Sequence, residues 1–359
     1  MATRKKSFID GFLYVINTII AFLLMASYLV GYIDPRIVSW FSFLGLAYPY
    51  LLLGNIIFAI WWALRLKLKI ILPTLAIALG YTHLGELYQF RGSNHVIASG
   101  STLKVMSYNV RMLNHFNWLD INDVPKQIED LILDENPDIL QLQEYRQLSP
   151  ALKVKLNYQY SSFNERAGGT GQITYSRYPL VRTETYEFAI PDSIGPKGKA
   201  LICDVEWQGR MIRFLNVHLA SVGLKDEDYA ELGSLSDKNQ DQITKGLSKV
   251  GGDLKAAFIR RAHQVEDLKI LLSKSPYPLI LAGDFNDPPS SYTYQSITDS
   301  LSDSFINAGD GLVRTYNRGP IPLRIDYILY SAELRCFNYK VRTETLSDHY
   351  PVIAEFAYQ

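Results

Sequence analysis

Residues 11–33, GFLYVINTIIAFLLMASYLVGYI, contain no charged side chain. As a helix such a run extends about 34 Å at ~1.5 Å per residue, enough to cross a hydrocarbon core of roughly 30 Å. In lipid a single such segment must pair all its backbone polar groups internally, which leaves a helix as its fold. Residues 37–64 repeat the pattern, uncharged and with Trp40, Trp61 and Trp62 near the ends, where indoles favour the interface. Residues 70–90 predict a third, weaker span that includes Pro73, His83 and Glu86. A cleaved leader is the competing reading of the first run. The run is too long for one, no small-x-small cleavage site stands out, and a second span follows at once. His83 and Glu86 stand at i, i+3 on one helix face. They are placed in the far interface, where the third helix ends, rather than as a functional pair within the membrane.

Loop charges orient these spans. Arg4, Lys5 and Lys6 precede the first, Arg65, Lys67 and Lys69 separate the second from the third, and Arg36 alone lies in the first short loop. The positive-inside rule puts the N-terminus and the 65–69 loop in the cytoplasm. Three spans then carry everything after residue 91 to the far side, which in a bacterium, anchored in its inner membrane, is the periplasm or the cell exterior.

The chain's net charge of zero hides a split. Residues 1–92 carry eight Lys/Arg and three Asp/Glu, whereas residues 93–359 carry 28 and 33. The acidic globular part lacks the basic footprint of a protein that grips long stretches of nucleic acid. Cys203 and Cys336 each fall in an expected strand, so buried free thiols are the first reading and a single bridge the second.

Residues 91–101, RGSNHVIASGS, are small and polar and read as a linker between a helical membrane domain (1–90) and a globular domain (102–359). In the latter, strands are expected at 103–110, 138–143, 172–176, 200–207, 212–219, 279–284, 325–330 and 351–357, with helices at 122–135 and 256–273. Many strands with few long helices imply an α/β sandwich of two packed sheets rather than a strictly alternating parallel sheet. Residues 222–255 form a polar, partly helical insertion, read as a solvated excursion or a lid.

Polar residues gather where these strands end: Ser107-Tyr108-Asn109, Gln143-Glu144, Asn216-Val217-His218, Gly283-Asp284-Phe285-Asn286-Asp287, Arg324-Ile325-Asp326 and Ser347-Asp348-His349. Burying such groups at one end of a sandwich is costly unless they bind each other, a metal or a ligand. Oxygen donors from Asn, Asp and Glu suit a hard cation: Mg²⁺, with Mn²⁺ or Ca²⁺ as alternatives. Two distant cysteines make structural zinc a poor fit. No Ser or Cys stands beside a base in a recognisable nucleophile elbow.

These six segments, in this order, resemble the endonuclease/exonuclease/phosphatase superfamily over about residues 102–359. Pro288-Pro289-Ser290-Ser291-Tyr292-Thr293-Tyr294 and the apolar prefix resemble a membrane-anchored bacterial branch of it. The resemblance implies in-line hydrolysis of a phosphate ester by a metal-dependent phosphoesterase. It implies that Glu144, with Asn109 and Asp348, holds the metal. Asp284 and Asn286 would position the attacking water and the phosphate. His349, held by Asp326, would contact the scissile phosphate, and His218 would be a second phosphate-facing histidine and candidate general acid. Arg146 and Tyr175 are further candidates for phosphate contacts. Arg177 is read as structural, and Arg260 as a partner for buried carboxylates. The expected partners are a lipid membrane and a phosphate-ester substrate, a phospholipid or sphingolipid head group before nucleic acid, with no obligate protein partner. A non-catalytic membrane scaffold of the same fold is the reading from another class.

Overall fold

The computed structural model describes residues 2–90, 101–146, 158, 160–166, 170–223, 240–318 and 323–359. The linker reading of 91–101 therefore lies almost wholly outside the described residues, as does 224–239 of the polar insertion.

The N-terminal part is helical: α1 (Ala2–Ser27), α2 (Ser42–Leu64), α3 (Ile71–Leu79) and α4 (Tyr81–Leu87). Phe8–Tyr32 and Ser39–Leu64 are each long and apolar enough to cross a membrane. The expected third span is not one straight helix, because its two halves, Leu68–Leu79 and Tyr81–Leu87, meet at 64°. Gly80 sits at the bend, where an added Cβ would come within 2.1 Å of the Tyr28 ring. The bundle packs on Ala21, Leu24, Tyr48, Leu52 and Ala76. Its outer surface exposes Phe12, Val15, Ile19, Phe22, Ile57 and Ile60, an apolar exterior that a lipid surround tolerates and water does not. Inside it, Trp62 donates to Asn17 Oδ1 at 2.9 Å.

After β1 (Tyr88–Gln89) the globular part holds two six-stranded sheets. Its strands are β2 (Leu103–Asn109), β3 (Ile139–Tyr145), β4 (Tyr160–Arg166), β5 (Thr170–Ser176), β6 (Leu180–Glu187), β7 (Lys199–Trp207), β8 (Arg210–His218), β9 (Leu279–Asp284), β10 (Ser302–Asp303), β11 (Gly311–Leu312), β12 (Asp326–Tyr330), β13 (Leu334–Val341) and β14 (Val352–Tyr358). One sheet runs β10-β12-β9-β8-β7-β6 and the other β13-β14-β2-β3-β5-β4. Within the two sheets only β2–β3 and β8–β9 pair in parallel. The helices are α5 (Val124–Glu135), α6 (Gln240–Ser273), α7 (Tyr292–Thr298) and α8 (Ser304–Ala308).

Alternation along the strands builds the core. Leu103, Val105 and Ile139 of one sheet face Cys203, Val205, Phe214, Ile280 and Ile328 of the other. Both cysteines are buried as free thiols in that layer. The outer faces are covered by α5 on one side, through Ile128 and Ile132, and by α6 and α7 on the other, through Val265, Leu268 and Ile297.

The expected two-sheet sandwich is the observed fold, and each expected strand is present. β4, β6 and β13 were not expected, because edge strands carry charged, solvated side chains; β6 is exposed along most of its length. The helix expected at 256–273 begins sixteen residues earlier, at Gln240, so the described part of the polar insertion is mostly helix.

Candidate active site

Antiparallel β12 and β14 enter where parallel β2, β3, β8 and β9 end. Register therefore sets His218 and Asp326 each beside Asp284, and Asn109 beside Gln143. The close β8–β9 approach depends on Gly283, whose φ is +143° and where an added Cβ would lie 1.9 Å from the Val217 carbonyl oxygen. Glu144 and Asn286 adopt left-handed backbone, φ 47° and 55°, Glu144 at a register shift in the β3–β5 ladder. A non-glycine residue persists there only when its surroundings over-determine it, a pattern concentrated at functional sites.

Asn109 links two carboxylates, donating from Nδ2 to Asp284 Oδ2 at 2.9 Å and to Glu144 Oε1 at 3.4 Å. The other oxygen of Asp284 accepts the Asn286 backbone N–H at 2.8 Å, and Asn286 Nδ2 donates to the Leu219 carbonyl at 3.2 Å. His349 Nδ1 meets both Asp326 oxygens, at 2.9 and 3.1 Å, which directs its Nε2 to 3.6 Å from Asp284. His218 Nε2 stands 3.6 Å from Asp284 and 3.7 Å from Glu144, longer than a hydrogen bond. Asp348 pairs with Arg111 at 3.2 Å, and Ser347 Oγ ties this loop to the Asn109 carbonyl at 2.9 Å.

The electrostatics follow from burial. Desolvation pushes the Asp284 carboxyl up to about 7 and raises Glu144, with the charge of Asp348 adding to the latter. Burial opposes a charge on His349, but Asp326 and then Asp284 outweigh it and hold the imidazolium up to about 10. Asp284, Asp326 and His349 converge, with side-chain polar atoms within 4.8 Å of one another, but the imidazolium is a cation and not a ligand there. Asp284 and Glu144, joined through Asn109, are oxygen donors with no thiolate among them, the donor type that fits a divalent cation such as Mg²⁺.

The eight principal candidates are thus linked at one end of the sandwich. Arg146 and Tyr175 are not among them. Arg146 is exposed and lines, with His115 and Lys126, an open cleft of about 790 Å³. Tyr175 is turned by strand alternation to the outer face, stacked on Tyr158 with its hydroxyl 2.8 Å from that of Tyr145. Arg260 does not pair with a buried carboxylate; its neighbour Arg261 does, holding Asp287 through two bonds of 2.8 and 3.0 Å. Arg177 is structural as expected, paired with Asp138. Sequence reasoning missed Arg111 and Thr315, and it gave Asn216 no role of its own. Thr315 Oγ1 accepts the Asp326 backbone N–H. Asn216 stitches the two sheets, accepting from Gln143 at 2.8 Å and donating to the Ile173 carbonyl at 3.0 Å. The signal for Asn216 was its place in the Asn-Val-His segment, two residues before His218.

The model of the endonuclease/exonuclease/phosphatase family matches residues 106–349, and that of a domain of unknown function, DUF8431, matches 10–87. Comparison with curated sequences gave no match. Among solved structures, the chain is similar in fold to an endonuclease/exonuclease/phosphatase from Bacteroides vulgatus, with a TM-score of 0.53, 19% identity and coverage of 72% of this chain and 100% of that one. It is also similar to the human Nocturnin catalytic domain (TM-score 0.52, 19%, 72% and 94%) and to a family protein from Bacteroides thetaiotaomicron (0.51, 20%, 72% and 96%). The family match covers more than half of the chain and includes every strand end described above. The chain belongs to the endonuclease/exonuclease/phosphatase family of metal-dependent phosphoric ester hydrolases.

Proposed function

We propose that this protein is a membrane-anchored phosphoesterase that hydrolyses a phosphodiester or phosphomonoester on a phospholipid or sphingolipid head group. One observation carries the reading: the loops bearing the site rest on the N-terminal helical part, the α1–α2 hairpin together with α4. Ser290, in the loop that follows Asp284 and Asn286, donates to the Gly45 carbonyl at 2.8 Å. Arg324, two residues before Asp326, donates to the Glu86 carbonyl at 3.0 Å. Gln295 donates to the Glu86 carboxylate at 2.7 Å, and His83 joins the same carboxylate at 3.0 Å. A site seated on its anchor meets a membrane-borne ester at high effective concentration.

Glu144, Asn109 and Asp348 would hold the cation, which when bound neutralises phosphate charge and stabilises the leaving oxygen. Asp284, oriented from both sides by Asn109 and Asn286, aligns the attacking water and takes its proton. His349 stays cationic through Asp326 and faces a phosphate oxygen. His218 serves in this reading as the acid that protonates the leaving oxygen. The loop charges support a cytoplasmic N-terminus with the catalytic domain on the opposite side of the membrane; a reporter fused after residue 359 should give an extracytoplasmic signal, and a cytoplasmic one would overturn this topology.

The deciding experiment is hydrolysis by the purified full chain with Mg²⁺, Mn²⁺ or Ca²⁺, wild type beside Glu144→Ala. Phospholipids, sphingomyelin-type lipids, inositol phosphates and DNA serve as substrates. Metal-dependent lipid cleavage, lost in the variant and in EDTA, is expected. Cleavage of DNA alone would replace the lipid reading with a nuclease.

A further inference from the structure

Arg260 and Arg261 are adjacent on α6, yet among the described residues only Arg261 has a carboxylate partner. Arg261 is buried and spends its guanidinium on Asp287 and on the Ala220 carbonyl. Among the described residues Arg260 makes one hydrogen bond, from Nη2 to the Ser221 carbonyl at 2.9 Å. Its buried Nε has no hydrogen-bond partner, and it forms no ion pair among the described residues. Burial works against its charge, as does Arg261, with Asp253 two turns earlier offsetting them in part. A half-buried guanidinium without a counter-ion is costly, and a ligand that brings the missing negative charge removes that cost.

The surroundings are those of a site. Arg260 lines a pocket of about 160 Å³ with Pro196, Gly198, Ser221, Gln264 and His218, room for a polyatomic group rather than a single water. Gly195, φ +127°, brings its loop over the guanidinium, and an added Cβ would lie 3.3 Å from Nη1. Gln264 is committed to the Ala220 N–H and the Lys197 carbonyl, so the walls are pinned while Arg260 is left to bind. His218 lines this pocket and also borders the strand-end cluster, since its Nε2 faces Glu144 and Asp284.

We propose that this pocket is an anion subsite, in which Arg260 takes a second phosphate or carboxylate of the substrate while the scissile phosphate lies on the other side of His218. The proposal rests on the phosphoesterase reading of the strand-end cluster, and it makes the preferred substrate a phosphate ester bearing a further anionic group. A planar fork of donors suits both a phosphate and a carboxylate.

The test begins without turnover. Inorganic phosphate, and malonate as the carboxylate arm, are titrated into the EDTA-treated full chain in detergent, with melting temperature and ³¹P line width as readouts. Wild type should bind at least one anion. Arg260→Gln and Arg260→Ala should weaken that binding about tenfold or more while melting like wild type in its absence. The tighter anion names the group. Absence of binding by wild type, or equal binding by both variants, would overturn the subsite. A p-nitrophenyl phosphodiester with and without a second phosphate on its sugar then gives the selectivity. Arg260→Gln should lower the ratio of kcat/KM for the two by about tenfold, and an unchanged ratio sinks the specificity role. If wild type turns over neither ester, the phosphoesterase reading falls, and the anion titration alone decides the subsite.

Discussion

Asp284 keeps its proton up to about pH 7 in the folded, metal-free chain, against an ordinary value of 3.8. Between those values the folded state binds the extra proton, so the stability this group contributes is lost as pH rises through the window. In EDTA, the melting temperature of Asp284→Asn should therefore gain on wild type from pH 5 to pH 8, whereas a difference that ignores pH would refute the burial argument. Cation binding needs the ionised carboxylates, so Mn²⁺ should raise the wild-type melting temperature more at pH 8 than at pH 5. Under turnover, Asp284→Ala and His349→Ala should each lower kcat by roughly 10²–10⁴, and full activity in either variant would remove the assigned roles. The residues of this cluster were legible because each closes a strand in a recognisable local segment. Arg111 and Thr315 were not, because each acts on a residue that is distant in the chain, Asp348 and Asp326 respectively.

At the scale of elements, Gly283 decides whether two strands can meet. A methyl group there would collide with the Val217 carbonyl, and relief requires β8 and β9 to part. Gly283→Ala should cost about 3 kcal/mol or more in denaturant unfolding, and a loss under 1 kcal/mol would show that the ladder yields. Helix α5 shows the opposite case, where local chemistry suffices. Asp123 caps it by accepting the Lys126 N–H, proline stands in its first turn, and Asn136 ends it in the left-handed conformation. The edge strands escaped a reading based on alternation because their outward residues have no buried face to alternate with. Tyr175 escaped it for a related reason: the direction of a side chain at a strand end depends on which face the partner sheet covers.

For the whole molecule, the hairpin and the sandwich meet through polar groups rather than an apolar seam alone. Glu86 carries much of that contact, with Gln295 and Arg324 bonded to it from the sandwich and His83 from its own helix. Glu86→Ala should loosen the loop that follows Asp284. Amide exchange at Asn286–Ser291 should quicken while β2 and β3 keep their protection, and uniform protection would show that the hairpin merely tethers.

Apolar runs, strand periodicity and the ordered polar strand ends are properties of neighbouring residues, so the sequence alone determined the helical prefix, the two-sheet class and which polar residues close the strands. The bend at Gly80, the choice of Arg261 over Arg260 as partner to Asp287, and the seating of the site on the hairpin were decided only by the tertiary structure. Each depends on which surfaces face each other once the chain is packed, because a side chain takes its partner from space and not from sequence distance.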